Sequence, residues 1–115
     1  MNVDRVRAMK FATLYPLYVT KVERKGQSVD SLNEVIRWLT GYTQTELEEM
    51  TTSETSLDEF FAGAPMNPNA ELITGVICGV RVENIEDPFM KKVRQLDKIV
   101  DEVAAGRAMS KILRA

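Results

Sequence analysis

The sequence predicts an all-α protein in which five to seven short helices form one compact domain over residues 1–115. Three observations support this class: apolar residues recur at helical spacing, polar motifs typical of helix starts precede them, and glycines follow several of these segments. A chain of 115 residues with 44% hydrophobic residues is also long enough to bury a core of its own.

The first predicted helix covers residues 14–25, with Thr13 as its N-cap and Gly26 after its last residue. Pro16 leaves a second start open, a kinked one nearer Lys10, because a proline disfavours helical geometry in the residue before it. One face of this helix carries Leu14, Tyr15, Tyr18 and Val22.

Three further helices are predicted to begin at capping boxes, in which a Ser or Thr and a Glu three residues later satisfy each other's backbone N–H groups. These boxes start at Ser31, Thr43 and Ser56. Gly41 ends the helix that starts at Ser31, because glycine adopts a left-handed turn at little cost. The apolar residues of the three helices are Leu32, Val35, Ile36, Leu39, Leu47, Met50, Phe60 and Phe61.

Two later helices are predicted to begin at an N-cap followed by a first-turn proline. Asn67-Pro68 starts a short helix in which Leu72 and Ile73 face the core, and Asp87-Pro88 starts the longest helix, which Gly106 ends. The long helix carries a heptad-like apolar stripe typical of a helix that faces one partner surface. The stripe consists of Phe89, Val93, Leu96, Val100 and Val103.

Residues 75–82 and 107–114 complete the prediction. Val76, Ile77, Val80 and Val82 favour a strand by composition. Because no other segment alternates cleanly to pair with a strand, we predict helix or turn here, with a short strand or hairpin at 76–82 as the alternative. Residues 107–114 are predicted to form a last short helix.

The residue inventory excludes several kinds of active site. The chain has no histidine and one cysteine, Cys78, so Ser-His-Asp and Cys-His nucleophile systems and most zinc sites are excluded. Cys78 lies in an apolar run, where we expect it to be buried and unreactive. A single cysteine suits the reducing cytoplasm, and no run of about 18 apolar residues predicts a membrane span.

Charge is unevenly distributed along the chain. Residues 1–25 and 91–115 each carry a net charge of +4, whereas residues 26–90 carry −10. Either these regions bind oppositely charged partners, or the basic ends pack beside the acidic middle and neutralise it; we favour the second interpretation.

Nucleic acid is a disfavoured partner. Residues 36–46 have the helix–glycine–helix pattern of a DNA-binding motif, but Glu46, Glu48 and Glu49 would repel phosphates. Lys91, Arg94 and Lys98 share one helix face, for which we favour a solvated surface.

Two sets of residues are candidate sites. Glu83, Glu86 and Asp87 would converge on a helix and could hold Mg²⁺ or Ca²⁺, although capping of the long helix by Asp87 is the favoured interpretation. The candidate ligand or partner contacts are Tyr15, Tyr18, Trp38, Tyr42 and Arg81, of which Arg81 could instead pair with a nearby carboxylate. Aromatic residues at helical spacing more often form core.

Several blocks of the sequence resemble a bacterial family known as domain of unknown function 2200. They are Phe11-Ala12, Tyr15-Pro16, Tyr18, Trp38–Tyr42, Phe60-Phe61, Ala64-Pro65, Asn67-Pro68, Gly75–Glu83, Ile85–Pro88, Leu96–Lys98 and Lys111–Leu113. The densest part runs from Gly75 to Pro88. The resemblance implies no established activity, cofactor or catalytic residue.

The sequence therefore predicts a small cytoplasmic protein that acts by binding, through a protein partner or through self-association along the stripe at residues 89–103, without a cofactor. The absence of familiar catalytic machinery favours a binding protein over an enzyme. The alternative is a carboxylate-based protein or enzyme that binds a small ligand or a divalent metal through Glu83, Glu86 and Asp87, with Arg81 holding an anion.

Overall fold

Seven α-helices and one small β-hairpin form the described part of the chain, residues 2–114, in a computed structural model. The helices are α1 (Val3–Ala8), α2 (Phe11–Arg24), α3 (Val29–Thr40), α4 (Gln44–Met50), α5 (Leu57–Ala62), α6 (Pro88–Ala104) and α7 (Met109–Ile112). The strands are β1 (Val76–Ile77) and β2 (Val80–Arg81), and 3₁₀ turns cover Pro68–Leu72 and Val82–Asn84. This architecture confirms the predicted helical bundle. It also confirms the alternative of a hairpin within 76–82.

Helix α6 lies at the centre of the bundle and packs against α2, α3, α5 and α7. The predicted stripe of α6 is buried along its whole length. It therefore faces other helices of the same chain, and its surface is already used in the core. Self-association along the stripe loses its support, because a periodic pattern specifies that a face is covered and not which helix covers it.

The capping boxes at Thr43 and Ser56 are confirmed, with both reciprocal hydrogen bonds present in each. The box at Ser31 is wrong, because Ser28 caps α3 instead and its Oγ accepts the Ser31 N–H at 3.1 Å. This earlier cap adds residues to the start of the helix. Gly41 ends α3 in the left-handed conformation, with φ of 74°.

Helix α2 begins at Phe11, so the start near Lys10 is correct and the Thr13 cap is wrong. A contact distant in sequence fixes this earlier start: the Phe11 N–H donates to the Thr55 carbonyl at 3.0 Å, and the Leu57 N–H donates to the Met9 carbonyl at 2.7 Å. Helix α1, which packs against α5, was not predicted from the sequence.

Residues 76–81 form the hairpin, so the prediction of helix or turn for this segment is wrong. Val76 pairs with Arg81 and Ile77 with Val80, and each strand supplies the partner that the other needs. The connecting residues Cys78 and Gly79 have φ of 51° and 80°, the left-handed pair that defines a type I′ hairpin turn. Cys78 is exposed at this turn, which corrects its expected burial.

The segment that follows Asn67 is a 3₁₀ turn, and this corrects the inward placement of Leu72. With about three residues per turn, Ala70 and Ile73 lie on the same face, and both are buried. Leu72 points away from that face and is 53% exposed.

Among residues 2–114, no helix has the length and apolar character needed to cross a membrane.

Candidate binding groove on the longest helix

An open groove of about 460 Å³ lies on the surface between residues 66–71, residues 85–88 and the first two turns of α6. We call it the α6 groove. Its apolar walls come from Met66, Pro68, Ala70, Ile85 and Pro88. The volume lies within the range of about 300–1,000 Å³ that is usual for ligand sites.

Two backbone contacts hold the walls of the groove in place. The Asn67 N–H donates to the Leu39 carbonyl at 2.9 Å, which ties the 3₁₀ turn to the end of α3. Asp87 caps α6 by accepting the Met90 N–H at 2.9 Å, which confirms the favoured interpretation of this residue. One wall is therefore held by a contact between distant residues, and the other by a local helix cap.

Gln95 is a buried polar residue that lines the groove, with 2% of its surface exposed. Its Nε2 donates to the Ala70 carbonyl at 3.1 Å. Its Oε1 makes no hydrogen bond to residues 2–114. In that range, every side-chain nitrogen or oxygen atom that is fully buried has a hydrogen-bond partner, so Oε1 is not fully buried. This oxygen therefore keeps slight exposure to solvent, and because Gln95 lines the groove it is the candidate hydrogen-bond acceptor there.

Asn67 supplies the complementary donor in the same groove. Its Oδ1 accepts the Asn69 N–H at 2.9 Å, which leaves Nδ2 without a hydrogen bond to the described residues. The α6 groove thus presents one side-chain donor and one side-chain acceptor between apolar walls.

Charged residues lie along the rim of the groove. Lys91 forms an ion pair with Glu71 at 2.8 Å. Within residues 2–114, neither the Lys92 ammonium nor the Glu86 carboxylate has an ion-pair or hydrogen-bond partner. One positive and one negative group therefore remain available to a ligand.

A second, smaller pocket of about 210 Å³ adjoins the groove across Pro88 and Lys92, which line both. We call it the Phe89 pocket. Phe61 and Phe89 line it together with Arg7, whose guanidinium lies 4.5 Å from the centroid of the Phe89 ring. Arg7 also pairs with Asp58. The two pockets thus meet at Pro88 and Lys92, at the start of α6.

The three candidate metal ligands have separate positions. Glu83 accepts the Gly75 N–H at 2.9 Å, and this hydrogen bond is the main reason that its pKa is lowered. Asp87 caps α6, and Glu86 lies on the groove rim. No group of three histidine, cysteine or acidic residues in the described range is arranged to hold a metal ion.

The candidate aromatic contacts also lie outside the groove. The Tyr15 hydroxyl donates to Asn33 at 2.6 Å, Tyr42 donates to the Phe60 carbonyl at 2.5 Å, and Tyr18 donates to Asp97. Burial, followed by the Asp97 carboxylate, raises the pKa of Tyr18 well above its ordinary value. Trp38 packs, partly buried, against the core. These contacts tie the elements of the bundle together.

Arg81 lies on the exposed hairpin and pairs with Glu83 at 3.6 Å, as the alternative interpretation of Arg81 predicts.

Ion pairs join the basic ends of the chain to its acidic middle: Arg7 with Asp58, Lys10 with Glu54, and Lys91 with Glu71. These pairs agree with the favoured interpretation of the charge distribution.

The polar groove residues Asn67 and Gln95 were not among the predicted site residues, nor was Lys92, whose ammonium has no partner among residues 2–114. The sequence does contain one signal that identifies Gln95. Gln95 lies beside the apolar stripe of α6, at the same spacing as buried Ile99 and Glu102, and a polar residue at such a position needs a hydrogen-bond partner.

The fold and the groove define a small helical-bundle protein with an open surface groove on its longest helix. The chain belongs to DUF2200, a family of uncharacterized proteins conserved in bacteria, whose model matches residues 5–114. The family resemblance seen in the sequence is thereby confirmed.

The chain is similar to uncharacterized protein SP1917, which has a crystal structure. The two are 40% identical, with 98% of this chain and 93% of that chain covered, and their TM-score is 0.91. No curated protein matches the chain.

Proposed function

We propose that this protein is a binding domain that takes an extended segment of a partner protein into the α6 groove. The observation that carries the proposal is the available acceptor of Gln95 and donor of Asn67 between apolar walls. A peptide backbone offers both a carbonyl and an N–H group at each amide, so it can satisfy both side chains.

The shape of the site favours a segment over a compact metabolite. The groove is open to the surface and shares Pro88 and Lys92 with the Phe89 pocket. An extended chain advances about 3.3 Å per residue and directs alternate side chains to opposite sides, so it can follow such a surface and fill both pockets.

A partner other than a second copy of the chain is the better-supported occupant. The stripe that motivated self-association is buried where α6 packs against the other helices, while the groove is open and has unused polar groups.

We place this binding role in the cytoplasm, because the exposed thiol of Cys78 suits a reducing compartment. The carboxylate alternative has less support, since Glu83 and Asp87 each already bind a backbone N–H.

The first experiment selects ligands from a library of short random peptides displayed on phage, with the full chain as bait. Selected peptides are then titrated into the ¹⁵N-labelled protein. We expect amide shift changes at residues 66–71 and 85–95. Changes confined to the hairpin, or to the separate surface pocket around Lys21, Gln27 and Asp101, would contradict the proposal.

A pair of Asn→Asp variants tests the hydrogen-bonding argument. Asn67→Asp keeps the capping oxygen but replaces the Nδ2 donor, so we expect peptide affinity to fall about tenfold. Asn69→Asp makes the same chemical change at a residue that does not line the groove, and its affinity is expected to stay unchanged. Equal losses in the two variants would contradict a specific role for Asn67.

A further inference from the structure

We infer that the partner segment carries an acidic side chain that lies over Lys92, close in sequence to an apolar side chain that enters the Phe89 pocket. This inference rests on the proposed function and specifies the chemistry of the partner.

Lys92 is the residue that points to an acid. It is partly buried, it lines both pockets, and it has no partner among residues 2–114. The neighbouring cations differ from it, because Arg7 is paired with Asp58 and Lys91 with Glu71. Lys92 is thus the cation at the junction of the two pockets whose charge remains uncompensated.

Covering Lys92 has an electrostatic consequence. A segment that crosses from the α6 groove to the Phe89 pocket removes water from the ammonium group, and an unpaired charge is costly to desolvate. A carboxylate on the segment compensates that cost, whereas an apolar or basic side chain at the same place does not. Electrostatic complementarity therefore selects an acidic residue at the junction.

The Phe89 pocket selects the neighbouring residue. Its volume of about 210 Å³ and its Phe61 and Phe89 rings suit one apolar side chain. Arg7 is held over the Phe89 ring, so the wall of the pocket is formed before any ligand binds.

Glu86 gives the segment a direction. It lines the α6 groove but not the Phe89 pocket, and it has no partner in the described range. Its negative charge repels an acidic residue placed at that end of the groove. The acid is therefore expected at the Lys92 end, and a neutral or basic residue near Glu86.

The test compares the peptides selected by the wild-type protein, Lys92→Glu and Lys92→Gln, with Lys111→Glu as the matched control. Lys111 is an exposed lysine on α7, outside both pockets, so its reversal makes the same change in net charge. Circular dichroism and the ¹⁵N spectrum establish that each variant is folded. Lys92→Gln removes the charge without adding a new one, and so separates loss of the cation from repulsion.

We expect wild type and Lys111→Glu to select peptides enriched in Asp or Glu at one position, Lys92→Gln to lose that enrichment, and Lys92→Glu to select Lys or Arg there. Affinity for the best wild-type peptide should fall at least about tenfold in Lys92→Glu and recover when the acid of the peptide is replaced by lysine.

Three outcomes would overturn the inference. Peptides that map to the groove without an acidic preference would overturn it while the proposed function stands. A library with no selected peptide would overturn both. Concentration-dependent dimers that Lys92→Glu abolishes would show that a second copy of the chain occupies the groove.

Discussion

Gln95 donates a hydrogen bond of 3.1 Å from Nε2 to the carbonyl oxygen of Ala70, and this contact joins helix α6 to the 3₁₀ turn Pro68–Leu72. Both residues are buried, and both line the α6 groove. One side chain therefore holds two walls of the groove together with its nitrogen and leaves its oxygen for a ligand.

Replacing Gln95 by leucine is expected to destabilise the protein by about 0.5–1.5 kcal/mol, because the buried carbonyl of Ala70 loses the Gln95 donor and keeps only the N–H of Ile73. Urea unfolding measures the change. Gln44→Leu is the control, since among residues 2–114 the Gln44 amide donates only to the exposed Glu48, and it should alter stability by no more than about 0.5 kcal/mol. Equal losses would contradict the linking role of Gln95.

Cys78→Asn is expected to stabilise the protein by about 0.5–1 kcal/mol, because asparagine tolerates the left-handed backbone of a type I′ turn better than cysteine does. Thermal and urea unfolding measure the gain. Cys78→Ala removes the same thiol without relieving the backbone, so it should give no comparable gain. A loss of stability in Cys78→Asn would show that the thiol makes a necessary contact.

The sequence predicted those features of the fold that depend on a few neighbouring residues. The boxes at Thr43 and Ser56, the Asp87 cap and the glycine at residue 41 are local devices, and each is present. The error at Ser31 is local as well: Ser28 is an equally good cap three residues earlier, and the earlier cap allows a longer helix.

Features that depend on distant residues were not predictable in this way. The start of α2 depends on contacts with residues 55–57, and the hairpin has a Cys-Gly turn where Asn-Gly is the usual signal. The candidate groove brings residues 66–71 against α6, and no motif in either segment specifies that contact. Periodicity indicated that α6 is covered but could not identify its partner helices.

Tyr18 is expected to make stability depend on pH in the alkaline range. Burial and Asp97 raise its folded-state pKa well above the ordinary value of 10.0, so the folded protein holds the phenol proton more tightly than the unfolded chain does. The stability that Tyr18 contributes in this way is complete below pH 10 and is lost as the pH rises through its raised folded-state pKa.

The check is a comparison of the free energy of unfolding of wild type and Tyr18→Phe as the pH rises above 10. Phenylalanine carries no proton, so the curve of the variant should fall less steeply, although the variant starts from lower stability because it lacks the bond to Asp97. All other ionisable groups are common to the two proteins, so their effects cancel in the difference. Parallel curves for the two proteins would contradict a raised folded-state pKa of Tyr18.

Gly41 and Gly26 form a matched pair that separates backbone strain from steric contact. Both have nearly the same left-handed conformation, with φ of 74° and 75°. A Cβ atom at Gly41 would lie 2.5 Å from the carbonyl oxygen of Pro65, whereas a Cβ at Gly26 would meet nothing within 4 Å.

Gly26→Ala is therefore expected to cost about 1 kcal/mol of stability through strain alone. Gly41→Ala should cost about 3 kcal/mol or more, because the chain at Pro65 must also move, and it should shift the amide signals of the neighbouring groove residues Met66 and Asn67. Urea unfolding and the ¹⁵N spectrum measure both effects, and equal costs for the two variants would contradict the close approach of Pro65 to the end of α3.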